Sequence, residues 1–391
     1  MNKFVSQLPE LNKTIKLSKR FLNYNYSLLE TAFDNTPDLN FLHSTGEISY
    51  TLDNTILNFS DFKTVDPEIR KTLHNKGLYY RKMTIMINDR KYIVQFFLPC
   101  LEKEFSVQKA KKFFNKSIKQ VYLWLYLVKE HIKPGCSNIL NVNIVFSEHK
   151  KRLGQRGTIL SPIHVNSAFT TSCMLETNIC IYRKEEWFKV FIHETFHCLG
   201  LDFSGVDNSS AESLITDKFK VHNRNGIRVY ESYCEIWAEV MNVVISSFFK
   251  TNTKEDYITE FNTLIHRELK FSLFQMIKSL NYYNIRYIDI LDSNCKTIHF
   301  QEETHILSYY ILKTILMYNL NDFEKWCKIN NITQLQFDSS NDNIVMYIEF
   351  IKQLSDDDKL VKIISDYETH IDKRTVDNEI ANTMRMSLVE F

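Results

Sequence analysis

The alternation of apolar and polar residues predicts one hairpin and several further strands. Period two holds along residues 81–98 and is interrupted at Asn88-Asp89. Such a pattern around a turn dipeptide is typical of a β-hairpin, which we interpret as an accessory sheet. Further short segments of strand character predict three more strands, at 141–147, 164–172 and 178–183. The first half of the chain therefore supplies a small mixed sheet.

Helical spacing of apolar residues dominates the rest of the chain. Residues 106–131 carry this spacing, and Ser106 is a suitable N-cap. Residues 185–199 predict an apolar helix with acidic residues in its first turn, which suits the helix dipole, and Gly200 stands where a C-terminal glycine cap would. After a polar excursion at 204–228, helices are predicted at 230–249, 255–280, 302–318 and 344–371. The expected class is α+β, with a mostly helical second part.

Composition narrows the classes of function. The net charge of +1 lacks the basic excess that nucleic-acid binding requires, so we expect no nucleic-acid partner. Apolar runs are far shorter than the roughly 20 residues of a membrane span, so we expect no membrane partner. The eight cysteines form no C-x-x-C pair, and the first residues lack the apolar core of a signal peptide. We therefore expect free thiols and a cytoplasmic, reducing compartment.

A candidate metal site lies in the segment FIHETFHCLG. His193 and His197 are four residues apart, so on a helix both project from one face and can bind the same ion. A catalytic zinc site uses three protein ligands and keeps one position open for water. Glu194, about one hundred degrees around the helix from His193, can act as the general base towards that water. The motif thus predicts one zinc ion held by two histidines and a third ligand.

The third ligand has two possible sources. An extended motif would place it at position 203, but Phe203 stands there and Asp202 comes one residue early. A later helix offers Glu231, Glu235 and Glu239 on one stripe at i, i+4 and i+8, between apolar residues. A buried carboxylate needs a partner, and a metal ion is one. We favour Glu235 as the ligand, with Glu239 orienting a histidine and Glu231 as the alternative.

These residues resemble the gluzincin branch of zinc metallopeptidases, and the CEIWAE segment around Glu235 is similar to the third-ligand pattern of its lethal-factor-like toxins. The resemblance covers about 106–249 and implies a zincin-like fold, whose edge strand binds the substrate backbone. Asn166 and Ala168 in VNSAF are the matching candidates, although one residue is inserted relative to the family pattern. The implied regions are an accessory region at 1–105, an upper lobe at 106–204 and a helical lower lobe at 205–391.

Peptide hydrolysis develops an oxyanion, which a Tyr or His beside the metal commonly stabilises. His305 and Tyr309 share one face of a predicted helix and are similar to such a pair in helical gluzincins. Tyr230 and Tyr233, next to the predicted third ligand, are rivals.

The sequence therefore predicts a zinc metallopeptidase that hydrolyses a peptide or protein substrate. The alternative is a catalytically silent zincin-fold protein with a structural or interaction role, such as a virion or scaffold component. The long segment before residue 106 motivates this alternative, whereas the presence of Glu194 favours the enzyme.

Overall fold

In the computed structural model, the chain forms two compact units that each combine distant segments. Unit 1 comprises residues 1–23, 151–166 and 202–391, and unit 2 comprises 24–150 and 167–201. The structure describes residues 2–11, 13–34, 49–51, 65, 67–73, 77–100, 106–223, 226–291, 300–372 and 378–390. The chain passes from one unit to the other four times, whereas the three regions predicted from the sequence are continuous. Periodicity identifies elements but does not show which of them pack together.

Unit 2 is built on a mixed six-stranded sheet. Its strand order is β1-β2-β3-β4-β6-β5. The strands are β1 (Ser49–Thr51), β2 (Gly77–Ile87), β3 (Arg90–Cys100), β4 (Ile139–Val145), β5 (Ala168–Thr170) and β6 (Glu176–Ile181). Strand β4 is parallel to both of its neighbours, β3 and β6. The other three pairings, β1 with β2, β2 with β3 and β5 with β6, are antiparallel. The α+β class is confirmed.

The predicted hairpin is present, but it is not an accessory sheet. Strands β2 and β3 pair in register from Ile87↔Arg90 to Gly77↔Cys100. Asn88 takes a left-handed φ of 51° at the turn, a conformation that asparagine tolerates better than most residues. Strand β3 also pairs along its other edge with β4, from Lys91↔Ile139 onward. The hairpin therefore belongs to the main sheet of unit 2.

The helices of unit 2 cover this sheet. Helix α4 (Val107–Val128) begins where predicted, because the Ser106 side chain accepts a hydrogen bond from the Lys109 backbone N–H. Its buried face includes Phe114, whose ring lies 5.7 Å from that of Phe96 in β3. The other helical segments of this part are α3 (Pro67–Leu73), a 3-10 turn (Lys129–His131) and α6 (Trp187–Cys198). Helix α2 (Lys19–Asp34) begins in unit 1 and ends in unit 2.

Unit 1 is mostly helical, as the sequence predicts. Its helices are α1 (Asn2–Val5), α5 (Pro162–Val165), α7 (Ser209–Phe219), α8 (Tyr230–Lys250), α9 (Lys254–Tyr282), α10 (Tyr287–Leu291), α11 (Lys313–Tyr318), α12 (Leu320–Asn330), α13 (Asn341–Ser355), α14 (Asp358–Asp372) and α15 (Asn378–Asn382). A π-helical segment (Leu307–Leu312) precedes α11, and β7 (His222–Asn223) pairs with β8 (Gln301–Glu302).

Three predicted elements differ from the structure. The predicted strand 164–172 is divided between the end of α5 and the short strand β5. The polar excursion 204–228 contains α7, and the predicted helix 344–371 consists of α13 and α14. In 164–172 and 344–371 one sequence pattern continues across a break between two elements that it does not encode.

The cysteines differ from expectation at one pair. Cys136, which precedes β4, and Cys173, which precedes β6, form a disulfide, so the prediction of free thiols is wrong for these two. Their Cα atoms are 4.8 Å apart because β4 and β6 are neighbours, a closeness that a separation of 37 residues does not reveal. Cys180, Cys198, Cys234 and Cys327 are buried thiols that form no disulfide. Across the described residues, none of the helices is long and apolar enough to span a bilayer.

Candidate metal centre

Helix α6 carries the two histidines and the adjacent glutamate. It begins at Trp187, two residues later than predicted, because Glu186 takes a left-handed φ of 57°. The predicted acidic first turn is therefore wrong, since Glu185 and Glu186 precede the helix. The predicted end of the helix is confirmed, because Leu199 is the C-cap and Gly200 follows it. Gly200 has φ 68°, a left-handed conformation that glycine adopts without the steric strain that a Cβ causes.

The two imidazoles point at a common position. The Nε2 atoms of His193 and His197 lie 3.3 Å apart, and both side chains are buried, with exposures of 5% and 9%. Two ligands of a tetrahedral zinc, each about 2.0–2.1 Å from the ion, lie about 3.3–3.4 Å apart. Imidazole nitrogens are also suitable ligands for zinc. The pair therefore already has the spacing that binding one ion requires.

Glu194 lies next to this pair in the sequence and in the helix. Its side chain is 8% exposed, so it is largely withdrawn from bulk water without being sealed from it. A carboxylate one residue after the first histidine lies beside the shared face of the pair and not on it. This position suits a proton acceptor better than a third ligand.

Contacts within unit 2 hold α6 at both its middle and its end. The Trp124 indole N–H of α4 donates to Thr195 Oγ1 at 2.8 Å in a buried setting. At the end of the helix, Ser137 Oγ donates to the Cys198 carbonyl, and the Lys133 N–H donates to the Leu199 carbonyl. The loop before β4 therefore supplies donors to two carbonyls that lack a partner within the helix. The histidines are carried on a helix with little freedom to shift.

The disulfide lies against the same helix end. A Cβ placed on Gly200 would approach Cys136 Sγ to 2.7 Å, which is closer than side chains pack. Two features therefore require a glycine at position 200: the positive φ of its backbone and the nearby sulfur, which leaves no space for a Cβ.

The three glutamates of α8 are all buried but have different partners in unit 1. Glu231, Glu235 and Glu239 are 5%, 1% and 0% exposed. Glu231 Oε2 accepts a hydrogen bond from Tyr309 Oη at 3.3 Å. At the other end of the stripe, Glu239 Oε1 pairs with Lys313 Nζ at 2.8 Å. The two ends of the stripe therefore differ in their partners: Glu239 pairs with an ammonium group and Glu231 with a phenol hydroxyl.

Asp202 and Phe203, at the end of the motif, both have partners within unit 1. Asp202 Oδ1 accepts from the Ser204 backbone N–H and hydroxyl, and its Oδ2 accepts from Cys234 Sγ at 3.3 Å. Phe203 is fully buried, and its ring lies 4.5 Å from that of Phe337. The position where an extended motif needs a ligand is thus a core aromatic of unit 1.

His305 and Tyr309 lie together, as their spacing predicts. Their ring centroids are 5.8 Å apart, and both side chains are buried at 8% exposure. Tyr309 belongs to the π-helical segment, a geometry that is frequent at functional sites. Its hydroxyl reaches Glu231, so the predicted oxyanion-stabilising pair and one candidate ligand form a single cluster in unit 1.

Glu302 supports the start of this segment and was not singled out from the sequence. Its Oε2 accepts from the Leu307 backbone N–H at 3.0 Å, and its Oε1 accepts from Asn223 Nδ2 at 3.1 Å. Complete burial raises the pKa of Glu302 to about 8. The sequence places Glu302 at the start of a predicted helix, 302–318, and gives no signal that it lies in β8 and accepts from the backbone of the next segment.

The predicted substrate-binding residues lie at a strand edge and just before it. Ala168 is the first residue of β5, the last strand in the sheet order, and pairs with Ile181. Asn166 instead accepts a hydrogen bond through Oδ1 from Thr304 Oγ1 at 2.9 Å. The edge position of β5 agrees with the expectation, and the Asn166 side chain contacts the loop before His305.

Of the two rival residues, Tyr233 lies in the core and Tyr230 is half-buried. Tyr233 is fully buried, donates to the Leu335 carbonyl at 3.0 Å, and burial raises its pKa well above the ordinary value. The ring centroid of Tyr230 lies 6.0 Å from that of Phe203.

Burial raises the pKa of the Cys198 thiol to about 12, so that residue is not a thiolate nucleophile.

The histidine pair belongs to unit 2, whereas the three glutamates of α8 belong to unit 1. The sequence prediction favoured Glu235 and kept Glu231 as the alternative. The supporting residues Trp124, Lys313 and Glu302 were missed, since each acts through a partner at least 71 residues away or through a buried loop.

Comparison with known proteins adds no relative. The sequence matches no protein-family model, and neither curated proteins nor solved structures give a match.

Proposed function

We propose that the protein is a zinc-dependent metallopeptidase of gluzincin type with a zincin-like fold. The observation that carries the proposal is the histidine pair of α6, whose Nε2 atoms lie 3.3 Å apart with Glu194 adjacent. Two neutral imidazoles and a carboxylate are the ligand set of many hydrolytic zinc sites. A zinc ion held there supplies a Lewis acid that polarises the scissile carbonyl and acidifies water.

The roles of the protein's own residues follow from their placement. His193 and His197 hold the ion, and Glu194 accepts a proton from the attacking water and later delivers it to the leaving amine. Tyr309 and His305 donate hydrogen bonds to the developing oxyanion. The edge strand β5, beginning at Ala168, offers backbone groups to an extended substrate.

The third ligand is a carboxylate of α8. Glu231 is supported by its burial at 5% exposure and by its contact with Tyr309. Glu235, one turn further along α8, is buried at 1% exposure and remains the second candidate. Glu239 is excluded from this role by its ion pair with Lys313.

The test combines metal content with turnover. Purified protein should contain one zinc per chain by elemental analysis, and a peptide library should identify a cleaved sequence. Glu194→Gln should retain zinc and lower turnover by about 10²–10⁴-fold, the usual contribution of a general base. His197→Ala should lose the zinc.

Each outcome has a distinct meaning. Full turnover by Glu194→Gln on a peptide that the wild type cleaves would contradict the mechanism. Absence of zinc from protein purified without chelator would contradict the site. Bound zinc that raises the melting temperature, together with no cleavage of any library member, would support the silent structural protein instead.

A further inference from the structure

Residues 383–389 pack against α8, α9, the π-helical segment and α11 of unit 1, which form a groove around them. Met384, Met386 and Ser387 are almost fully buried, and Leu388 and Val389 are more than nine-tenths buried. These residues form neither helix nor strand beyond the isolated bridge between Thr383 and Arg152. A buried segment without secondary structure must satisfy its backbone groups in another way.

Side chains satisfy the backbone carbonyls of this segment. Tyr310 Oη donates to the Met384 carbonyl at 2.6 Å, and Asn242 Nδ2 donates to the Val389 carbonyl at 3.1 Å. The remaining donors come from α9 and α11: Gln275 to the carbonyls of Thr383 and Arg385, Lys278 to that of Thr383, and Lys313 to that of Met386.

A single carboxylate takes the N–H groups at the end of the segment. Glu268 of α9 accepts from the backbone N–H of Leu388 at 2.9 Å and of Val389 at 2.6 Å, and from Ser387 Oγ at 2.8 Å. Glu268 is fully buried. A buried carboxylate is costly without such donors, so Glu268 is chemically matched to an extended peptide at this place.

We propose that this groove is a peptide-binding site, that residues 383–389 are its tethered ligand, and that it binds the free peptide TMRMSLVEF (residues 383–391) in trans. Backbone contacts from Glu268, Gln275 and Tyr310 supply affinity, and the enclosed Met384 and Met386 side chains supply selectivity. The proposal does not depend on zinc binding or on turnover.

The segment 383–389 also contacts α8, directly through Asn242 and indirectly through Lys313. Lys313 Nζ bonds Glu239 Oε1 and Ser272 Oγ at 2.8 Å each, and the Met386 carbonyl at 3.4 Å. Its ammonium has three donors, and the segment accepts one of them. Asn242, which holds the Val389 carbonyl, lies on α8 itself. Release of the segment would therefore remove one contact from the helix that bears the glutamate stripe and one from the lysine that pairs with Glu239.

The experiment disables the tethered ligand within the full-length chain. Leu388→Pro with Val389→Pro removes both N–H donors to Glu268 while keeping the segment attached. Fluorescently labelled TMRMSLVEF should bind this variant saturably and raise its melting temperature by several degrees. The wild-type chain should bind the peptide at least about tenfold more weakly, because its own segment competes at high effective concentration. The matched control is the same peptide N-methylated at Leu388 and Val389, which should not bind.

Two results would overturn the proposal. One is a folded double-proline variant, by circular dichroism, that binds no peptide. The other is equal binding of the N-methylated peptide. If the variant does not fold, hydrogen exchange of the wild type and of Glu268→Gln decides the matter. Faster exchange confined to the Leu388 and Val389 amides supports the docked ligand, whereas unchanged or uniformly faster exchange contradicts it.

Discussion

Helices α6 and α8 both carry buried ionisable residues, but they hold them in different ways. Helix α6 has 12 residues, and its functional pair is arranged by the helix itself, since His193 and His197 meet at 3.3 Å through i, i+4 spacing. Helix α8 has 21 residues and three glutamates at the same spacing, two of which have partners far along the chain. Tyr309 reaches Glu231, and Lys313 neutralises Glu239.

The difference separates a site encoded locally from one encoded by tertiary contacts. Helical geometry alone fixes which residues of α6 can share an ion. On α8 the same geometry offers three equivalent carboxylates, and only the surroundings make them unequal. Substitutions that remove a partner should therefore change α8 selectively, while α6 should respond mainly to changes in its own residues and anchors.

The largest effect on stability is expected at the buried ion pair. Glu239→Ala leaves the Lys313 ammonium buried at 1% exposure without its carboxylate and should cost about 3–5 kcal/mol in the free energy of unfolding. Chemical denaturation measures this. The double variant Glu239→Gln with Lys313→Met should recover most of the loss, since it removes both charges. A Glu239→Ala protein as stable as the wild type would remove the distinction between the ends of the stripe.

Zinc affinity should separate the remaining two glutamates. Substitution of the third ligand should weaken zinc binding by more than about 100-fold, the upper limit for losing an outer-shell partner. We expect this for Glu231→Gln and a smaller loss for Glu235→Gln, as measured by competition with a chromophoric chelator. Glu239→Gln, in whatever fraction remains folded, is the control and should bind zinc normally. The reverse order for Glu231 and Glu235 would restore the assignment made from the sequence.

The disulfide tests how the end of α6 is held. Cys136→Ser with Cys173→Ser opens a loop of 37 residues and should cost about 2–4 kcal/mol in the free energy of unfolding. Reduction of the wild type by dithiothreitol should lower the melting temperature similarly, and the double-serine variant should not respond to it. Identical melting of the oxidised and reduced wild type would show that the helix end does not depend on this bond.

The smallest effect concerns the anchor in the middle of α6. Thr195→Val leaves the Trp124 indole N–H buried without its acceptor and should cost about 1–3 kcal/mol. Trp124→Phe in the same chain should then cost less than it does in the wild type, because no donor remains to be satisfied. A double-mutant cycle by thermal or chemical unfolding measures this coupling. Strictly additive losses would mean that the hydrogen bond does not fix α6.

Residues that act through their neighbours in the sequence were predictable. The hairpin turn at Asn88, the N-cap Ser106 and the cap Gly200 all depend on a few adjacent positions, and all lie where predicted. The same holds for the pairing of His305 with Tyr309 on one face. The zincin-like fold and the chemistry remain predictions.

Features that depend on distant partners were not predictable. The pairing of β3 with β4 that places the hairpin in the main sheet joins segments more than 45 residues apart. Cys136 finds Cys173 only because β4 and β6 are neighbours. Tyr309 donates to Glu231 across 78 residues, a contact that the sequence does not show. One sequence contains no signal for such pairings, since periodicity reports burial and not the identity of the contacting residue.

The interleaving of the two units has a consequence for the order of folding during synthesis. Unit 2 has all of its residues once position 201 has left the ribosome, and its core can form while translation continues. Unit 1 holds its early segments, 1–23 and 151–166, without their partners until the later helices arrive. The groove around Glu268 receives residues 383–389 only after the helices that form it have been made, so the Glu268 carboxylate lacks these donors until that segment follows. Completion of unit 1 therefore comes later than that of unit 2.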